Sequence, residues 1–189
     1  MRNDGLNTTP ADSRQASAPH MLDEDTLAFV GKVFQYARAG YAQELAELLD
    51  MGLPANLRND KGDSLLMLAS YHGHTDVCRL LLEHGGDPEL ANDRGQTPLA
   101  AAAFKDDGPI ARLLLEGGAA VDGCSPDGRT ALMVAAMFNR TSIVELLLAH
   151  GANIDARDAS GLTAQGLAQA IGAPDTLALL ARASGSSDS

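Results

Sequence analysis

His72, His74, Asp76 and Cys78 fall within one short stretch. Imidazole, carboxylate and thiolate are the donors from which zinc sites are built. Their every-second-residue spacing would put all four on one face of a strand. The rest of the chain offers such a site little support. Cys78 and Cys124 are the two cysteines, too few for a cysteine metal cluster or a disulfide framework, and their disposition suits a reducing compartment. Cys78 lies among apolar residues, where a thiol behaves as a small hydrophobe; Cys124 lies in a turn and is expected to be exposed. His84 and His150 each precede a glycine, as a histidine does in a last helical turn facing the helix dipole. No Ser/His/Asp or Cys/His spacing and no phosphate-cradling loop occurs. Gly85-Gly86 and Gly117-Gly118 read as helix stops. The carboxylates are scattered, as on solvated faces. No residue is assigned a catalytic, cofactor-binding or metal role.

The elements that carry these residues repeat. Residues 92–124 read NDRGQTPLAAAAFKDDGPIARLLLEGGAAVDGC: a turn at Asp93-Arg94-Gly95, a short Ala-rich helix opened by Thr97-Pro98-Leu99, and a second helix through Leu113-Leu114-Leu115. Gly62, Gly95, Gly128 and Gly161 stand 33 residues apart, as do Gly52, Gly85, Gly118 and Gly151, and Leu48, Leu81, Leu114 and Leu147. A fixed period of this length marks stacked supersecondary units, none of which can bury its apolar face alone. Ser64, Thr97, Thr130 and Thr163 stand where a hydroxyl can cap each first helix. Ala69, Ala102-Ala103, Ala135-Ala136 and Ala168 allow the first helices to approach closely, and the leucines fill the space behind.

Gly95-Gln96-Thr97-Pro98-Leu99, Gly73-His74 with Val77, and Leu147-Leu148-Ala149-His150-Gly151-Ala152 together resemble the ankyrin repeat. The resemblance covers about residues 26–182 and implies an all-α ankyrin-repeat solenoid of five helix-turn-helix units with short β-turn connections. The units are 26–58, 59–91, 92–124, 125–157 and 158–182, within a repeat domain of 23–182. It also places a helix end and a turn at His72–Cys78 and makes His74 structural, against the metal reading. Phe29 holds the place of the turn glycine in the first unit, which has no preceding neighbour to turn against. Gln165 and Gln169 give the last unit a polar outer face, as a terminal cap requires. The histidine of the family's Thr-Pro-Leu-His phrase is replaced by Met67, Ala100, Met133 and Gly166, which removes its hydrogen bonds and predicts less rigid turns. Residues 1–22 are polar and 183–189 Ser-rich; both are expected to be disordered tails.

The chain carries a formal net charge of -11. That balance disfavours nucleic acid and anionic lipid surfaces. No stretch approaches the roughly 18 apolar residues of a membrane span, and the N-terminus lacks an apolar signal core. A cytoplasmic, monomeric protein is expected.

The resemblance implies a scaffold that binds another protein, without chemistry or cofactor of its own. It assigns contact to the concave groove and the turn tips. With the turn glycine numbered fourth, positions thirteen and fourteen close each first helix: Tyr71 and His72, Phe104 and Lys105, Met137 and Phe138, then Ala170 and Ile171. Three of the chain's seven aromatic residues (3 Tyr, 4 Phe) stand there, and interface centres favour aromatic residues and Met. Packing of Phe104 and Phe138 between units remains the alternative. The turn tips add Asp60, Lys61, Asp63, Asp93, Arg94, Gln96, Asp127 and Arg129. The acidic scaffold favours a partner that presents a basic or apolar element. A self-associating role would use apolar end faces around Ile171 and Leu179-Leu180.

Overall fold

The computed structural model describes residues 23–185. Ten helices occur among the described residues: α1 (Glu24–Ala39), α2 (Ala42–Asp50), α3 (Leu65–His72), α4 (Thr75–Glu83), α5 (Pro98–Lys105), α6 (Gly108–Glu116), α7 (Ala131–Met137), α8 (Thr141–Ala149), α9 (Ala164–Ile171) and α10 (Pro174–Gly185). The described residues contain no strand; two isolated bridges, Arg58–Ser64 and Cys124–Thr130, are all that the turns form. Odd-numbered helices pack in sequence to make an inner row, even-numbered helices make an outer row, and the two helices of each pair pack together. This is the all-α solenoid that the resemblance implies, in the stacked units marked by the period. Among the described residues no helix is long and apolar enough to cross a membrane.

The start of each inner helix is fixed locally. Ser64 Oγ accepts the N–H of Met67 at 3.0 Å. Thr97, Thr130 and Thr163 accept those of Ala100, Met133 and Gly166 at 3.2, 3.3 and 3.2 Å. Each cap satisfies a donor that the helix itself leaves over. Inner helices end on residues 33 apart with positive φ: Gly40, Gly73, Asp106 (φ 62), Asn139 (φ 57) and Gly172. The two non-glycine residues are Asp and Asn, which tolerate this region and can bond locally. Both do more. Asp106 accepts from Ser142 Oγ at 3.0 Å, and Asn139 Oδ1 accepts the Asp175 and Thr176 N–H groups of α10 at 3.1 Å each.

The inner row stacks on alanine. Ala69, Ala102, Ala103, Ala135, Ala136 and Ala168 are all 0% exposed. Leu81, Leu114 and Leu147 are fully buried behind them, whereas Leu48 is half-buried and Leu45 and Leu49 take the core positions of the first unit. A charge at Leu114 would be left unpaired there at a cost of several kcal/mol, roughly.

The two ends depart from the regular repeat. Leu27 and Phe29, 55% and 45% exposed, lie on the solvated side of α1, which continues through the position of the turn glycine. Helix α10 runs to Gly185, past Ala183 where a tail was expected, and Ser184 Oγ bonds back to the Leu180 carbonyl at 3.0 Å. Expected disorder at 1–22 and 186–189 lies outside the described residues. Leu180 is buried and Leu179 half-buried, so of the proposed self-association face only Ile171, 61% exposed, stands free of the core. Gln165 is half-buried and Gln169 exposed.

Where the family histidine is missing, another period supplies hydrogen bonds to three of the four turns. Asn59, Asn92, Ser125 and Asp158 open the four turns. Asn59 Oδ1 accepts the N–H of Lys61 and Asp63 at 2.9 Å. Asn92 Oδ1 takes those of Arg94 and Gln96 at 3.0 Å, and Asp158 Oδ1 those of Ser160 and Leu162 at 2.9 Å. Such side chains replace a missing backbone partner and hold a turn closed. Turn is joined to turn by Asp93 N–H donating to Lys61 O at 3.1 Å and Ala159 N–H to Asp127 O at 2.8 Å. At Gly95 (φ 75) a Cβ would collide with the Pro126 ring of the next turn, so glycine serves both the backbone angle and the close approach.

A groove between the aromatic ladder and the turn tips

The inner helices end on one side of the molecule, and the turns project on the same side. Between them runs a groove of about 660 Å³. Helical geometry places residues three and four apart on one face. Leu68 with Tyr71, Ala101 with Phe104, and Val134 with Met137 and Phe138 therefore line it together.

The aromatic residues form a ladder across three units. Tyr71 and Phe104 lie nearly parallel with centroids 6.2 Å apart. Phe104 meets Phe138 edge to face at 4.6 Å, a geometry that the ring quadrupole favours. Tyr71 is 43% and Phe138 44% exposed, while Phe104 is half-buried. The apolar core closes without Phe104 and Phe138, so the rings pack on each other across the units rather than inside them. Lys105 Nζ stands 5.1 Å from the Tyr71 centroid, a cation–π contact.

The opposite side is polar. Lys61, Asp63, Arg94, Gln96, Asp127 and Arg129 line it from three successive turns. Asp63 is held on both oxygens: Asn92 Nδ2 donates to Oδ1 at 2.9 Å and Asn59 Nδ2 to Oδ2 at 3.3 Å. Asp127 accepts from Ser125 Oγ and pairs with Arg129 Nε at 3.4 Å. The Ser125 hydrogen bond first, and the Arg129 charge after it, hold the Asp127 carboxyl below its usual range. His72 lines the groove. Partial desolvation first, then the positive charges of His74, Arg38 and Lys105, push its pKa down, which favours the neutral ring.

Eleven of the fourteen expected contact residues thus line one groove. Asp60, Asp93 and Lys105 do not. Asp60 is exposed. Asp93 pairs with Arg58 Nη2 at 3.3 Å, tying its turn to the preceding turn. Lys105 lies against the Tyr71 ring instead. Groove residues beyond the expected set include Arg38, Leu68, Asn92, Ala101 and Val134. A signal for them existed: Arg38 stands one period before Tyr71, and the apolar trio stands one helical step before position thirteen.

The candidate zinc donors do not converge. The His72 and His74 rings stack at 6.4 Å, and His74 Nε2 lies 2.7 Å from the Arg38 carbonyl, a bond that joins the first two units. Cys78 is buried, with its sulfur 3.6 Å from Ser70 Oγ, and burial pushes its thiol up to about 11. Among the described residues no three His, Cys, Asp or Glu side chains are placed to hold a metal ion.

With this geometry established, comparison with known proteins is direct. A family model described as ankyrin repeats (3 copies) matches residues 33–123 and again 110–187. A Pseudomonas aeruginosa protein described as an ankyrin repeat protein is 63% identical over 59 residues, which is 31% of this chain and 34% of that relative. The chain thus spans about a third of that relative's length.

Proposed function

Starting from the premise that this chain belongs to the ankyrin repeat family, we propose that it binds a partner protein through the groove between the aromatic ladder and the turn tips. The family consists of protein–protein interaction modules, typically without enzymatic activity. The observation that carries the reading is the Tyr71–Phe104–Phe138 ladder, partly exposed and outside the core of every unit. Partly exposed aromatic rings held by a rigid frame are what an interface centre needs. The polar turns opposite supply its rim. Because the frame is preorganised by packing and by the turn hydrogen bonds, ordering costs on binding are low.

The test compares the wild-type chain with Phe104→Ala/Phe138→Ala in capture of partners from native lysate, each eluate read by mass spectrometry. The double variant should lose the wild-type-specific partners. Its thermal melt should fall by only a few degrees, since neither ring belongs to the core and the edge-to-face contact adds about 0.5–1.5 kcal/mol to the modest area they bury. Undiminished capture, or collapse of the fold, would overturn the proposal.

A further inference from the structure

The groove has the opposite charge character to the molecule that contains it. The chain is acidic overall, with a formal net charge of -11. Yet four cations line the groove, Arg38, Lys61, Arg94 and Arg129, against two carboxylates, Asp63 and Asp127.

The carboxylates are also spoken for. Asp63 accepts hydrogen bonds on both oxygens. Asp127 is occupied by Ser125 and Arg129. By contrast, Arg38, Lys61 and Arg94 have no carboxylate within 4.0 Å among the described residues. Charged groups at an interface are arranged to meet a complementary potential. Three cations without a carboxylate partner among the described residues, facing an aromatic ladder, therefore specify both features of an occupant: negative charge and apolar anchors.

We infer that the groove takes an acidic peptide segment, one whose Asp or Glu side chains flank an aromatic or large aliphatic residue. This rests on the binding function proposed above; of the basic or apolar element expected from overall charge, it keeps the apolar part and replaces the basic one. Carboxylates of the segment meet Arg38, Lys61 and Arg94, and the apolar residue between them packs on Phe104 and Phe138. Guanidinium groups suit this role because their planar donor fork matches a carboxylate. A single-stranded nucleic acid fits less well. Its continuous phosphate backbone would also meet the acidic surface beyond the groove, whereas a short segment can place its carboxylates at the three cations alone. Bases require open ring faces, whereas Tyr71 is engaged by Phe104 and Lys105, and Phe104 by Phe138.

The test selects a random dodecapeptide phage library on the immobilised full chain, then measures selected peptides by fluorescence anisotropy. Fluorescein-labelled oligothymidylate and a Lys-for-Glu version of the best peptide serve as comparisons. The expected consensus carries at least two Asp or Glu residues around Phe, Tyr, Leu or Met. Arg38→Glu/Arg94→Glu should weaken the selected peptide by about tenfold or more, and raising salt should weaken binding to the wild type. The salt series needs no variant and stands even if the double variant were to unfold. Selection of neutral or basic peptides, recovery of no peptide, salt-independent binding, or tighter binding of oligothymidylate would each overturn the inference. Neutral or basic peptides lost on Phe104→Ala/Phe138→Ala but kept on Arg38→Glu/Arg94→Glu would leave groove recognition standing and remove only the acidic partner.

Discussion

Replacing Asn92 by alanine isolates what holds the turns in place of the family histidine. Asn92 is 8% exposed and makes four side-chain hydrogen bonds. Its Oδ1 takes the N–H groups of Arg94 and Gln96; its Nδ2 donates to Asp63 Oδ1 at 2.9 Å and Gln96 Oε1 at 3.1 Å. Each neutral bond is worth about 1 kcal/mol net, and the one to the charged Asp63 about 1.5–3 kcal/mol. Water reaches part of this site and restores some of the loss, so Asn92→Ala should cost about 2–3 kcal/mol. For a domain of this size that lowers Tm by about 5–10 °C. Thermal and urea unfolding followed by circular dichroism would read it. A change under about 0.5 kcal/mol would refute the reasoning, because the turn would then be held by its backbone bonds and inter-unit packing alone. Partner binding should weaken too, since Arg94 and Gln96 at the groove would need ordering on contact.

Other predictions use the same frame. Ser125 is the one turn opener that lacks the paired acceptor geometry of Asn59, Asn92 and Asp158; Ser125→Asn should stabilise by about 0.5–1 kcal/mol in urea unfolding. A thiol reagent at pH 8 should titrate the exposed Cys124 in the native state, and Cys78 only after denaturation. His84 has an acceptor on each ring nitrogen, Leu80 O at 2.8 Å and Asp50 Oδ1 at 3.2 Å. The Leu80 carbonyl first, and then Asp50, raise its folded pKa above 6.5. Its stabilising contribution is therefore fully present below the unfolded value and is lost as pH rises through the folded value. Melts of wild type and His84→Gln should diverge on the acid side and converge as pH rises through the folded value.

Much of this molecule is written locally. The 33-residue spacing of Gly62, Gly95, Gly128 and Gly161, the hydroxyls at Ser64, Thr97, Thr130 and Thr163, and the alanine and leucine positions fix the helix pairs and their stacked order. Each depends on neighbours a few residues away, or on the same position one period on. The family phrase gave the same fold, and position thirteen pointed to Tyr71 and Phe104 as groove residues.

Other features arise only when units lie side by side. Asp93 pairs with Arg58, 35 residues earlier, and so leaves the groove that Arg94 beside it enters. Asp106 and Asn139 look like ordinary polar residues in sequence, but each adopts positive φ and reaches a side chain or N–H in the next unit. The sign of the groove is also a product of assembly. Net charge counts every residue, whereas a partner meets only the side chains that packing aims inward and internal bonds leave unpaired.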